Sequence, residues 1–581
     1  MSALKQQMHN CETAAAISVE MTQGRGRGLF ASAPMEAGTT VLIERPLVAM
    51  QSLDNSQDVT VCRNCLGFVG DLISQLEVLS GIPRHECVAR HQERHYPNKD
   101  SKVRNRGMAW AHDQRLTELH ECLGGCGEVY CSSECRSDHW TRCHRLLCVG
   151  PISEEDAGDH PLVAFRIHAM QTNEIFLLVG EVMAQIAMAF FLDKPDETNH
   201  DACKQTLSAT RTLFADFVQE PWWDVALSQT SSSDGDEKPD KSPAYAVGCS
   251  DDRDDNASAS FSETLRALCE ESSALLRSAF ALAPTGGEGQ PLPPALEDAL
   301  SAEMFGRVVG MFEQNNVGVR APSPIPDVLR RVLLSSSSPP ESLRCGKSDD
   351  KTSGLSESCD TERCLSRESL EEVAQLVRGV IEQEEECDDE EEDEVSTNCC
   401  GRDGSGVAEE KRDRSHEAFE GTSAATAKAG DVSNEDLTRD TSLGVIHSAV
   451  DLDDGSSAGD EHGLFAPLDG TALFSLICCM NHSCRPNCVV QYPGKRESSG
   501  VETSYTSGDR GFDSGGSGMV TAADPLVAEV SLLRDVSAGE ELTQSYVTRE
   551  MGLVERRNAL KEYGFLCTCP RCVEEESRYL R

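Results

Sequence analysis

At 581 residues the chain is long enough for two or three domains, yet hydrophobic residues make up only 39% of it and its formal net charge is -45. That balance argues against one compact body of this size. It also argues against direct nucleic-acid binding, which wants basic patches, and favours basic partners such as Lys/Arg-rich protein tails or ribosomal proteins. The opening "MSALKQQMHNCETAAAISVE" has no apolar signal core, so secretion is not expected, and 26 cysteines in a reducing compartment point to zinc rather than disulfides.

Along the chain, "GRGRGLFAS" (24–32) leads into "GTTVLIERPLVAM" (38–50), whose alternation predicts strands. Residues 62–148 are rich in Cys and His, with a long internal loop. Residues 161–225 read as helices; "IFLLVGEVMAQIAMAFFL" (175–192) is interrupted by Glu181 and Gln185 and is expected to be a buried helix rather than a membrane span. Residues 228–260 are Ser/Asp-rich and read as a loop; helix returns at 262–283 and is followed by "FGRVVGMFEQNNVGV" (305–319). A Ser/Pro-rich break is expected at about 321–365. A short helix should follow at 369–381, with Ser369 and Glu372 as a capping box and Leu370, Val373, Val377 and Val380 as its apolar stripe. Residues 382–394 hold eleven carboxylates in thirteen positions; this run repels itself, and 382–460 is expected to be disordered. Structure resumes near 463, with a Gly/Ser-rich loop at about 495–520.

The cysteines supply the strongest pattern. Cys62-x2-Cys65, Cys122-x3-Cys126, Cys131-x3-Cys135 and His144-x3-Cys148 make seven thiols and one imidazole, the number that closes two tetrahedral zinc sites. Cys87, His139 and Cys143 are rival ligands, and the pairing among the four pairs stays open. At the C-terminal end "CTCPRC" offers Cys567, Cys569 and Cys572, one ligand short of a structural site. Cys484, in "LICCMNHSCRPNC" (476–488), is the candidate fourth.

"GRGLFA", "NHSCRPNC", "GEELTQSY" and "CTCPRC" stand in the order found in SET-domain lysine methyltransferases, and "YCSSECRSDHWTRCHRLLC" resembles the MYND zinc finger of the SET-and-MYND subfamily. The resemblance implies an α+β fold: a β-rich SET domain carrying an inserted MYND-type finger, a helical insert, a post-SET zinc site and long disordered acidic inserts. The corresponding segments are 18–61 (first SET part), 62–148 (finger), 149–320 (helical insert), 321–462 (acidic insert), 463–550 (second SET part) and 551–581 (post-SET). It also implies methyl transfer from S-adenosyl-L-methionine to a lysine of a protein substrate, three structural zinc ions, a monomer, no membrane, and a cytoplasmic or nuclear location.

By the same resemblance Arg25, Gly26, Arg27 and Gly28 form a turn under the cofactor, and Asn315, with Asn316 as the alternative, contacts its adenosyl group. Cys478, Cys479, Met480, Asn481 and His482 line its pocket. Tyr546 is the catalytic tyrosine, Tyr563 lines the lysine channel, and Phe565 covers the adenosine. Departures from the family pattern are the x3 spacing of Cys122 and Cys126, Arg27 in place of a common Asn, and the inserts at 320–462 and 491–527. Two other classes fit some of these residues: a catalytically inactive SET/MYND scaffold for protein interaction, and a Cys/His hydrolase using Cys479 or Cys484 with His482.

Overall fold

The computed structural model describes residues 11–12, 17–22, 24–95, 116–193, 195, 199–211, 214, 217, 219–231, 255–282, 291–336, 367–394, 441–453, 464–493, 525–561 and 563–579. The chain divides into two units, Met1–Ile325 with Phe465–Arg581, and Pro326–Leu464. The loop expected at 495–520 lies outside the described residues.

In the first unit the N-terminal strands are β1 (Cys11–Glu12), β2 (Ile17–Thr22), β3 (Gly26–Ala31), β4 (Thr40–Glu44) and β5 (Val48–Gln51). The Cys/His-rich region follows. Its expected long loop begins instead as two helices, α1 (Leu72–Leu79) and α2 (Arg84–His95). Asp71 starts α1 by accepting Ser74 N at 2.7 Å, and Leu72, Ile73 and Leu76 bury its apolar side. Then come the short hairpin β6 (His120–Glu121) and β7 (Val129–Tyr130), and α3 (Ser133–His139), which runs on through a π turn at Trp140–His144.

The helical layer comprises α4 (Pro161–Thr172), α5 (Ile175–Asp193), α6 (His200–Arg211), α7 (Trp222–Ser231), α8 (Asp255–Leu282) and α9 (Ala302–Asn315). The stretch read as a loop at 228–260 is therefore helical at both ends. Among the described residues α5 is the one helix long and apolar enough to cross a membrane, and 72% of that window is buried inside the protein. Its Glu181 is 3% exposed and paired with Arg63 from the Cys/His-rich region. Phe176 of α5 meets Trp222 and Phe305 edge-on at 5.5 and 5.1 Å. It packs as a buried core helix, as its interrupting Glu and Gln imply.

β8 (Val317–Ala321) leaves α9 directly and pairs with β9 (Leu468–Leu473), which also pairs with β5. β10 (Cys488–Gln491) pairs with β11 (Ala528–Leu532), and β11 with β4, making the four-stranded order β1-β4-β11-β10. β12 (Glu541–Leu542) joins β3, giving β12-β3-β2. All these pairs are antiparallel, and each sheet joins strands from both ends of the chain. The unit closes with α10 (Leu553–Lys561) and α11 (Pro570–Tyr579).

The second unit departs most from expectation. A helix at Ile325–Ser336 occupies the start of the supposed Ser/Pro break, because Ile325, Val328, Leu329, Val332 and Leu333 form a buried stripe. The predicted short helix exists, with Leu370, Val373, Val377 and Val380 buried as expected. It begins earlier, at Arg367, and runs on to Glu394. Ser369 therefore lies inside the helix rather than capping it, and the acidic run continues the helix because glutamate is a good helix former. A further helix, Thr441–Asp453, lies in the stretch expected to be disordered and buries Ile446, Ala449 and Val450.

The helical layer offers a direct test of packing. A Cβ at Gly310 of α9 would stand 2.0 Å from Glu220 O and 3.1 Å from Trp222 N. Gly310→Ala should lower the thermal midpoint although alanine favours helix by ~1 kcal/mol, because overpacking against backbone typically costs about 1–3 kcal/mol. A raised midpoint in a calorimetric scan would show that this crossing is not close.

Candidate active site and cysteine clusters

The segment "LICCMNHSC" is held from four sides. The Glu44 carboxylate, at the end of β4 and 1% exposed, accepts Leu476 N at 2.9 Å and Ile477 N at 3.0 Å. This fixes the tight turn Ile477–Cys479. Burial pushes the Glu44 carboxyl up from 4.5 to about 7, while the backbone donors pull it back. After the turn, Asn481 Nδ2 donates to Arg27 O at 3.0 Å and to Glu541 Oε1 at 2.7 Å, and the other Glu541 oxygen pairs with Arg25 Nη2 at 2.6 Å. β12 places Glu541 there by pairing with β3. Asn487 completes the bracing: it donates to Glu541 O at 2.8 Å and accepts Thr543 N at 2.7 Å.

His482 forms a parallel bridge with Gln544, and its Nδ1 accepts Tyr546 N at 3.0 Å. Burial, with Arg556 nearby, lowers its pKa to about 4, so the ring is neutral at pH 7 and Nδ1 is free to accept. The Tyr546 hydroxyl donates to Met480 O at 2.7 Å. Burial, with Cys478 and Tyr563 close by, pushes this phenol above its ordinary range, so it stays protonated. Tyr563 and Phe565 pack their rings 5.1 and 6.4 Å from that of Tyr546, and Phe565 lies 6.0 Å from the His482 ring. Tyr563 is 49% and Phe565 37% exposed, so they form the outer rim.

A pocket of about 290 Å³ opens here, lined by Asn315, Asn316, Cys478, Tyr492, Tyr546 and Tyr563 among others. Asn315 Nδ2 turns back to Met311 O at 2.7 Å, and Cys478 Sγ donates to Asn315 O at 2.8 Å, joining the end of α9 to the motif. Arg25, Arg27, Gly28, Asn481 and His482 are not among the residues that line this pocket. Arg27 places its guanidinium 5.5 Å from the Phe217 ring. Gly28 is closely packed, since a Cβ would meet Thr22 Cγ2 at 2.8 Å, and Gly26 takes φ +69 in the turn. Cys479 and Met480 are buried, and the Cys479 thiol faces Ser475 O at 3.5 Å. Cys484 Sγ lies 3.2 Å from His482 Nε2 and gathers with the C-terminal thiols Cys567, Cys569 and Cys572.

Sequence reasoning missed Glu44, Glu541 and Tyr492. A carboxylate ending the apolar alternation of "TVLIE" was the available sign for Glu44, and Glu541 lies within "GEELTQSY"; nothing local marked Tyr492.

The cysteines gather in three sets of four, each with ligand atoms within 4.8 Å of one another: Cys62, Cys65, Cys131 and Cys135; Cys122, Cys126, His144 and Cys148; and Cys484, Cys567, Cys569 and Cys572. The first two sets interleave along the chain. Sulfur–sulfur distances of 3.5 Å (Cys62–Cys135), 3.6 Å (Cys65–Cys131) and 3.5 Å (Cys484–Cys572) are far beyond a disulfide. They match the ~3.7 Å edge of a tetrahedron with metal–sulfur bonds of ~2.3 Å, so these sets could hold zinc. The rivals fall outside: the Cys87 thiol faces Ile82 O at 3.3 Å, while His139 and Cys143 group with Glu181. Beneath the C-terminal set Arg556, fully buried, donates to Glu575 at 2.6 Å and ties α10 to α11.

No protein-family model matches the chain. Among curated proteins, Histone-lysine N-methyltransferase ATXR2 of Arabidopsis thaliana is 23% identical over 95% of this chain and 89% of its own length. The curated proteins similar to this chain are SET and MYND domain-containing lysine methyltransferases. Within that class it matches Protein-lysine N-trimethyltransferase SMYD5 of Danio rerio at 33% identity over 24% of the chain, and that of Homo sapiens at 29% over 38%. Those two alignments span 28% and 53% of the SMYD5 proteins themselves.

The raised Glu44 carboxyl has a pH consequence. The unfolded group titrates near 4.5 and the folded one near 7, so between these values the folded state holds the extra proton. The stability of the wild type relative to Glu44→Gln should therefore fall as pH rises from about 5 to 7 and level off above. Urea unfolding of both proteins across that range, with zinc present, reads the difference; a flat difference would contradict the shift.

Proposed function

We propose that the chain is a protein-lysine N-methyltransferase that uses S-adenosyl-L-methionine, with Tyr546 at the reacting centre. The observation that carries this reading is the convergence of Tyr546, Tyr563 and Phe565 on the motif Met480–His482 beside a pocket bounded by Asn315 and Cys478. S-adenosylmethionine supplies an electrophilic methyl group on its sulfonium. The chain's part is alignment and exclusion of water, since methyl transfer is an in-line displacement. A lysine amine has a solution pKa of ~10.4, so a tunnel walled by Tyr546 and Tyr563 would favour its neutral, reactive form. The protonated Tyr546 hydroxyl, held by Met480 O, offers a preorganised dipole, and aromatic faces would stabilise the methylammonium product.

On this reading Asn315, Cys478, Cys479, Met480, Asn481 and His482 form the cofactor side, with Arg25, Arg27 and Gly28 bracing it and Phe565 covering it. Tyr546 and Tyr563 serve the lysine. We assign 62–148 to a MYND-type finger with two zinc ions and Cys484 with Cys567, Cys569 and Cys572 to a post-SET zinc. That metal would pin Phe565 against His482, while taking no part in methyl transfer. The net charge of -45 favours a basic protein substrate, such as the histones named for the Arabidopsis relative. The cytoplasm or nucleus suits such chemistry.

Incubation with labelled cofactor and fractionated lysate, followed by mapping of the modified residue, tests the proposal. Tyr546→Phe should lower the rate about 10²-fold, the usual cost of one preorganised donor, while cofactor binding by calorimetry persists. If the wild type binds no S-adenosylmethionine, the inactive scaffold is the correct reading.

Loss of the C-terminal metal should be felt at the cofactor. Cys569→Ser is expected to weaken S-adenosylmethionine binding at least several-fold, because Phe565 loses its anchor. Unchanged calorimetric affinity in a zinc-depleted variant would separate the metal from the pocket.

A further inference from the structure

The helical excursion between the first and second cysteine pairs contains donor groups that the methyltransferase reading leaves unused. Asp71 divides its work: Oδ1 caps α1 through Ser74 N at 2.7 Å, while Oδ2 faces α2. On α2, His91 and His95 stand four residues apart and so share a helix face. His95 Nε2 lies 2.5 Å and His91 Nδ1 3.3 Å from Asp71 Oδ2, and the two rings are 4.4 Å apart. All three side chains are 1% exposed. The His91 nitrogen makes no aligned hydrogen bond despite its burial. Gly70 closes the backbone over the group with φ +87; a Cβ there would meet Ser74 Oγ at 2.4 Å and His91 Nδ1 at 3.8 Å.

The charge around this group is uneven. Arg94 reaches Asp71 Oδ1 only at 3.5 Å, whereas two of its nitrogens sit 3.1 Å from the oxygens of Glu77, itself 5% exposed. Arg90 also reaches Glu77, at 3.4 Å, so two guanidiniums serve Glu77 while Asp71 has the longer Arg94 contact beside its two imidazoles.

The geometry points to a further metal site, formed by Asp71, His91 and His95, for a divalent transition ion such as Zn2+. The three ligand atoms lie within 4.8 Å of one another, and two imidazoles with one carboxylate suit zinc rather than the oxygen-loving magnesium or calcium. The ion takes the place of the proton between His95 and Asp71, which the other nitrogen of a neutral imidazole can carry. A tetrahedral ion would keep its fourth position for water. Its effect is to staple α1 to α2 inside an insertion whose own apolar core is small.

This inference is independent of the methyltransferase reading and is tested by metal content. The cysteine-containing sets release metal to a mercurial thiol reagent; the Asp/His/His set has no thiol. Full-length protein purified with zinc and then treated with excess reagent should retain one zinc per chain by plasma mass spectrometry. His95→Gln and His91→Asn should retain none while keeping wild-type circular dichroism. Should either variant fail to fold, Asp71→Asn, which preserves the helix cap and side-chain volume, decides the matter by the same count. Retention of less than half an equivalent by the wild type, or equal retention by wild type and folded variants, would reduce the cluster to a hydrogen-bonded histidine–carboxylate network.

Discussion

The two hydrogen bonds of the Asn481 amide bring together parts of the chain that lie 454 residues apart in one direction and 60 in the other. One reaches the backbone of the N-terminal hairpin at Arg27, the other the carboxylate of Glu541, which is itself drawn to Arg25. This knot ties the segment after the turn at Ile477–Cys479 to both β3 and β12, beside the wall of the pocket. Glu44 secures the same turn from β4, so two acids and one amide position the motif.

The thiol cluster acts one step further out. Cys484 follows His482 by two residues and gathers with three cysteines from the chain's end. The aromatic pair Tyr563 and Phe565 is carried just before those cysteines, so the cluster sets where that rim lies relative to His482 and Tyr546. Structural and chemical roles are thereby divided cleanly. Thiols and buried charges place the segments, and two neutral groups, the protonated Tyr546 phenol that lines the pocket and the uncharged His482 imidazole packed against it, stand at the site.

Several features of the fold follow from limits that local pattern cannot express. The acidic run at 382–394 carries no apolar stripe, and its composition alone speaks for disorder, yet it continues a helix nucleated by the buried face upstream. Metal-ligand spacing in this region says nothing of helices α1 and α2, whose local sign is the apolar period of "LISQLEVL". Cys87, His139 and Cys143 had ligand chemistry equal to that of their neighbours, and only their positions separate them from the four-ligand sets.

The sequence by itself determined the number and type of the clustered ligands, the order of the motifs and the aromatic residues at the rim, because thiols in short pairs and a run such as "NHSCRPNC" carry their chemistry locally. It also determined that α5 is a buried helix rather than a membrane span, since Glu181 and Gln185 interrupt its apolar run. Only the tertiary structure decided which pairs of ligands join, which carboxylates hold the motif, and which of its residues face the pocket. Those outcomes depend on strand register between distant segments, and register is set by the packing of whole faces, which no short stretch of residues contains.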